Sequence, residues 1–165
     1  MTDGENWLPA LIEFNHYGNW EDYLEAIHDQ FLRDFASNPP TWPGKRLSLK
    51  RHPEYRGKSA TFWHLTSEGA IEEERPPDFR RCERIAWPRA IVAQFTGQKP
   101  KEGDLIVWWK NKRGSEDRVI LALPDFSYVV IIAERTDYVM VWTAYPVERL
   151  HRQRKLETEF KEFWK

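Results

Sequence analysis

The chain has 165 residues with a net charge of −1, and 41% of these residues are hydrophobic. This length fits one domain that buries a core without disulfides or metal, and the single cysteine, Cys82, excludes an internal disulfide. No paired Cys or His spacing suggests a metal ligand set, so we expect no metal and no cofactor.

The amino terminus lacks the basic start and apolar stretch of a signal peptide. No apolar run approaches the roughly 18 residues that a membrane helix needs. The sequence therefore predicts a cytoplasmic protein without a membrane partner.

The charge is distributed unevenly along the chain. Residues 1–38 contain eight acidic side chains and one basic side chain, Arg33, which leaves about +6 on the remainder. A basic body is compatible with a polyanionic ligand, and solvated surface charge explains the same count equally well.

The first half predicts helices separated by a connector. Leu24, Ile27, Phe31 and Phe35 recur at helical spacing behind Asn19, a suitable cap, so residues 20–35 predict an amphipathic helix. The proline-rich residues 38–44 forbid helix.

The middle of the chain begins with a basic stretch. The aromatic and β-branched residues 61–66 that follow it predict a strand. Asp78 is placed to cap a second helix that runs through Arg84 and that Pro88 ends or kinks.

The second half predicts a sheet. Four strand candidates, at residues 104–109, 118–123, 127–133 and 138–144, are joined by short links that favour antiparallel neighbours. Residues 147–165 predict an amphipathic helix. The fold class is therefore α+β, with amino-terminal helices, a four-stranded antiparallel meander and a carboxy-terminal helix.

We expect a single domain over residues 1–165. It comprises an acidic helical segment and connector (1–44), an α+β core (45–147) and a terminal helix (148–165). The sequence contains no internal repeat and no long low-complexity tract.

Two histidines are candidates for chemistry. His64 lies in the predicted strand, where an imidazole could transfer protons near neutral pH, although a hydrogen-bonded structural histidine is the commoner case. His52 follows Arg51 in a basic stretch, where both could contact phosphate or simply occupy a loop.

Arginine and hydroxyl side chains complete the candidate set. Arg81 and Arg84 project from nearly the same helix face, where guanidinium groups could bind phosphate oxygens, but a surface ion-pair cluster is slightly favoured. Lys58 has the same two interpretations. Thr143 and Tyr145 end the last predicted strand and could donate to phosphate, although both are common strand residues.

A set of His, Arg or Lys, and Thr or Tyr suits cleavage of RNA by its own 2′-hydroxyl. One group accepts the 2′ proton, another protonates the departing 5′ oxygen, and cations stabilise the charged phosphorane. Glu68 or Glu83 could be the base in place of a second imidazole, and the sequence leaves this choice open.

Three segments carry a family resemblance: Phe62-Trp63-His64-Leu65-Thr66, residues 81–85, and Trp142-Thr143-Ala144-Tyr145-Pro146. With the helix-then-sheet layout, residues 45–147 resemble the Barnase, EndoU, colicin nuclease and RelE superfamily of metal-independent ribonucleases. The resemblance implies a toxin-like or phage-defence endoribonuclease that forms a cyclic phosphate, with RNA, including tRNA, as substrate and an antitoxin or immunity protein as partner. It places His64, Arg84 and Thr143 in the catalytic positions, followed by Lys58 and Tyr145. The candidates for binding substrate are Arg51, His52 and Arg81.

Two other functions remain open. The high Trp content and the terminal helix could serve a non-enzymatic interaction module of a toxin–antitoxin or phage-related complex. The basic residues 45–58 beside Trp63 could instead bind nucleic acid without chemistry.

Overall fold

The computed structural model describes residues 7–67 and 76–165. These residues form an α+β fold with five α-helices and five strands in one mixed sheet. The helices are α1 (Trp20–Leu32), α2 (Ala60–Thr66), α3 (Phe79–Glu83), α4 (Trp87–Val92) and α5 (Leu150–Phe163). The strands are β1 (Arg46–Ser48), β2 (Val107–Arg113), β3 (Glu116–Ala122), β4 (Tyr128–Glu134) and β5 (Tyr138–Pro146).

The sheet has the strand order β1-β5-β4-β3-β2. Strands β2 to β5 form the expected antiparallel meander. The prediction of a four-stranded, purely antiparallel sheet is wrong in one respect, because β1 adds a fifth strand parallel to β5. β1 has only three residues, too few for an alternation pattern, and its pairing partner lies far away in sequence.

One face of the sheet packs against the amino-terminal helices. The buried residues there include Phe31 of α1, Phe62 of α2 and Ile91 of α4, which meet Leu121 and Val130 of the sheet. The predicted first helix is confirmed: Asn19 Oδ1 accepts a hydrogen bond from the Asp22 backbone N at 2.8 Å. One π-helical turn, Arg33–Ser37, continues α1.

The opposite face of the sheet is covered by α5. Trp109 and Val129 are fully buried there, against Leu156 and Phe160 of the helix. Trp164, just after α5, donates from Nε1 to the Trp108 carbonyl at 2.6 Å. The predicted amphipathic helix at the carboxyl end is therefore confirmed and packs on the sheet.

The prediction of a strand at residues 61–66 is wrong, because these residues form α2. The Ser59 hydroxyl accepts a hydrogen bond from Phe62 N and caps the helix. The helical turn buries Phe62 and Leu65, three residues apart, against the core. Burial therefore overrides the strand preference of aromatic and β-branched residues.

The second predicted helix is divided into two short ones. Asp78 caps α3 as expected and accepts hydrogen bonds from the backbone N of Arg80 and Arg81. Pro88 lies in the first turn of α4, where its missing N–H removes no helical hydrogen bond. The proline therefore helps to begin a helix. None of the described helices is long and apolar enough to cross a membrane.

Candidate functional site

The outer edge of β5 is shared between β1 and the short helices. β1 pairs only with Tyr138–Met140, and α2 and α3 pack against β5. The pairing of β5 with β4 shifts register, so that Ile131 pairs with Thr143 and Ile132 with Val141. Trp142 is therefore the extra residue of a β-bulge, a feature that redirects side chains.

A hydrogen-bond network joins α2, α3 and β5 at this edge. Arg81 Nη1 donates to the carbonyl oxygens of Ser67 at 2.9 Å and of His64 at 3.2 Å, and it lies 3.4 Å from Thr143 Oγ1. The Thr143 hydroxyl donates to the same His64 carbonyl at 2.8 Å. Arg81 Nε lies 3.5 Å from Asp78 Oδ2. Arg81 and Thr143 therefore hold the backbone at the carboxyl end of α2.

Trp142 is surrounded by a histidine and two cations. Its ring centroid lies 4.9 Å from that of His64. Lys50 Nζ lies 5.4 Å and Arg118 Cζ 5.7 Å from the Trp142 ring centroid, within cation–π range. We call Trp142, His64, Lys50 and Arg118 the Trp142 cluster.

A groove lies next to the Trp142 cluster, between α5 and the sheet. Its cavity measures about 190 Å³, and we call it the α5 groove. Arg118 lines it and also belongs to the Trp142 cluster, so the two features are continuous. Tyr145 also lines the α5 groove, and Arg81 Cζ lies 5.1 Å from the centroid of the Tyr145 ring. Among the described residues, the groove contains five basic side chains, Lys112, Arg113, Arg118, Arg152 and Lys155, and one acidic side chain, Glu159.

The carboxylate in the α5 groove is already engaged. Glu159 Oε1 accepts hydrogen bonds from Trp109 Nε1 at 2.8 Å and from Asn111 Nδ2 at 2.6 Å. These bonds fix α5 on the sheet and occupy the acidic group.

The five cations of the groove differ in their partners. Arg118 Nε lies 2.7 Å from Glu116, and Lys112 Nζ lies 3.3 Å from Asp117. Arg113, Arg152 and Lys155 are exposed, and none of the three forms an ion pair within the described part of the chain. The groove therefore carries a net positive charge, because three of its five cations have no ion partner among the described residues.

The structure brings four of the predicted site residues together. His64, Arg81, Thr143 and Tyr145 contact one another directly or through Arg81. Of these, only Tyr145 lines the α5 groove.

The remaining predicted site residues have other contacts. Lys58 is buried and donates to Glu25 Oε1 of α1 at 2.9 Å. Arg84 lies over the Trp87 ring, with Nη1 donating to the Arg80 carbonyl at 3.1 Å. Arg51 and His52 are exposed in the loop before α2.

The structure describes one of the two carboxylates that could act as a base, Glu83. The Glu83 carboxylate lies 3.6 Å from Arg84 Nη1. Glu68 lies outside the described residues.

Burial determines the state of two further groups near this edge. Burial raises the pKa of the Cys82 thiol to about 12, with Asp78 and Glu83 adding to the effect. Burial also raises the pKa of the Tyr128 hydroxyl. Both groups are therefore neutral at physiological pH, and neither is an activated nucleophile. Within residues 7–67 and 76–165, no group of three or more His, Cys, Asp or Glu is placed to hold a metal ion.

The sequence analysis missed the cations of the α5 groove. They come from the β2–β3 hairpin and from the first turns of α5, and only the docking of α5 brings them together. A usable signal was the run Arg149-Leu150-His151-Arg152-Gln153-Arg154-Lys155, which is basic at the start of a predicted helix.

Comparison with known proteins gives no match: no family model fits the sequence, and neither the curated proteins nor the solved structures contain a significant match.

Proposed function

We propose that this chain binds single-stranded RNA along the α5 groove and the adjoining Trp142 cluster. The observation that supports the proposal is the charge of the groove, where three of five cations have no ion partner among the described residues. A groove of this kind attracts phosphate groups and releases their counterions on binding.

The aromatic rings beside the cations favour single strands over duplexes. Tyr145 and Trp142 are half-buried, and each has an arginine over or beside its ring. Unpaired bases stack on aromatic rings and on arginine guanidinium planes, whereas the bases of a duplex are already stacked. A cationic groove continuous with aromatic rings is the usual combination for single-stranded nucleic acids.

The proposal is tested by the affinity for a short fluorescein-labelled single-stranded RNA. Removing two phosphate-binding cations, with Arg152→Gln and Lys155→Gln together, should weaken binding by roughly 10- to 30-fold at about 0.1 M salt. The matched control is Lys161→Gln with Lys165→Gln, which changes the net charge equally outside the groove. Equal weakening in both variants would mean that net charge, and not the groove, governs binding.

Metal-independent cleavage of RNA is a second candidate function. The observation in its favour is the position of the His64 imidazole, which contacts Trp142 beside Lys50 and Arg118. An imidazole transfers protons near neutral pH, and the two cations could stabilise a charged phosphorane. His64 is only 8% exposed. RNA binding is therefore the first candidate function, because it does not require RNA to contact the imidazole.

Cleavage is tested with the wild type and with His64→Gln on total RNA and tRNA in the presence of EDTA. The candidate mechanism predicts 2′,3′-cyclic phosphate ends, loss of cleavage in the variant, and no cut at a position whose 2′-hydroxyl is replaced by hydrogen. Unchanged RNA after incubation with the folded wild type would exclude this second function and leave the binding proposal untouched.

A further inference from the structure

A second groove lies beside α3 and shares no residue with the α5 groove. It is formed by the turn Phe14–His16 and by α3, and its cavity measures about 420 Å³. We call it the α3 groove; its lining residues are Glu13, Phe14, Asn15, Phe79 and Glu83.

The α3 groove exposes an aromatic ring that the fold holds in place. Phe79 is 45% exposed, although it is among the largest apolar side chains of the molecule. Its ring packs edge-on against Phe14 at 5.4 Å and Trp20 at 5.7 Å, and it is stacked with Tyr23 at 6.4 Å between centroids. The ring is therefore fixed by three aromatic neighbours while much of its surface faces solvent.

Carboxylates border this ring. Glu13 and Glu83 line the groove, and their side chains are 44% and 27% exposed. Each carboxylate has one ion partner, since His16 Nε2 lies 3.5 Å from Glu13 Oε2 and Arg84 Nη1 lies 3.6 Å from Glu83 Oε2. Three of the five lining residues belong to residues 1–38, which contain eight acidic side chains and one basic side chain, and the other two belong to α3.

We propose that the α3 groove binds an arginine-bearing basic segment of a partner protein. A guanidinium group placed over Phe79 gains a cation–π contact, and its planar fork can bind the carboxylates of Glu13 and Glu83. A purely apolar segment would desolvate these carboxylates without adding a cation to compensate. Lysine, a compact charge without a planar face, fits the ring and the two carboxylates less well.

The test measures binding of a labelled Gly-Arg repeat peptide to the full chain, with a Gly-Lys peptide of equal length for comparison. Phe79→Leu keeps an apolar side chain but removes the ring, and it should weaken arginine-peptide binding about two- to fivefold. Glu13→Gln with Glu83→Gln should weaken it about five- to tenfold.

The matched control is Glu21→Gln with Asp29→Asn, which removes two exposed carboxylates of the acidic segment outside the groove. This control should change the affinity by less than about twofold. Equal weakening by the control pair and the groove pair would overturn the proposal, as would equal binding of the lysine peptide. In the wild type, the NMR signals of the Phe79 and Phe14 ring protons should shift during the titration, and unshifted signals would also overturn it.

Discussion

Replacing Arg81 by Met should destabilise the fold by about 3 kcal/mol. The substitution keeps an unbranched side chain, shorter than that of arginine, and removes every donor. The 2.9 Å bond to the Ser67 carbonyl is charge-assisted and contributes about 1.5–3 kcal/mol. The longer bonds to the His64 carbonyl and Thr143 add roughly 1 kcal/mol together, because Thr143 still donates to that carbonyl.

Urea unfolding followed by circular dichroism measures this loss of unfolding free energy. In thermal unfolding, the melting temperature of a chain of this size should fall by roughly 6–12 °C. Arg80→Met is the matched control, since Arg80 lies on the same helix, is 63% exposed and pairs with Glu148 at the surface. It should cost less than about 1 kcal/mol. If the two variants lose the same stability, the structural role assigned to Arg81 is refuted.

Three further predictions concern burial. Because Cys82 is fully buried and its pKa is raised to about 12, iodoacetamide at pH 8 should alkylate it slowly in the native chain and rapidly in urea, as mass spectrometry would show. Burial, with Lys58 nearby, lowers the pKa of His28 below 6.5. As the pH falls, the unfolded state therefore binds the proton before the folded state does. The free energy of unfolding should decrease below pH 6.5, and this decrease should be smaller in His28→Gln. Phe160→Ala should cost about 2 kcal/mol in urea unfolding, because the half-buried ring packs against Trp109 and Phe126.

The sheet was predictable because its strands are local neighbours. The four meander strands have buried residues and are joined by three short links, and all four occur within a few residues of the predicted bounds. The residues of α2 carried a misleading signal, since Thr61, Phe62 and Trp63 are typical of strands. The helix forms because Ser59 caps it and because helical spacing buries both Phe62 and Leu65.

Part of the edge of β5 was predictable, and the groove was not. The sequence drew attention to His64, Arg81, Thr143 and Tyr145, and the structure places them together. The sequence could not show that Arg81 and Thr143 bind the backbone of α2, since those contacts depend on the fold. The cations of the α5 groove lie far apart in sequence and meet only where α5 docks on the sheet.

The role of Arg81 affects how loss-of-function data should be interpreted. A variant that removes its hydrogen bonds loosens the end of α2 and with it the position of His64. Loss of RNA binding or cleavage in an Arg81 variant would therefore report folding unless stability is measured alongside. Variants of Arg152 and Lys155 avoid this problem, because both side chains are exposed.

The salt dependence of RNA affinity tests the central claim most directly. If the five groove cations neutralise three to five phosphates of a single strand, the logarithm of the association constant should fall with the logarithm of salt concentration with a slope of about −2 to −3.5. Arg152→Gln with Lys155→Gln should make this slope shallower by about 1.4, and Lys161→Gln with Lys165→Gln should leave it unchanged. Equal slopes in the wild type and the groove variant, or no RNA binding by the folded wild type at low salt, would contradict the assignment of the α5 groove as an RNA-binding site.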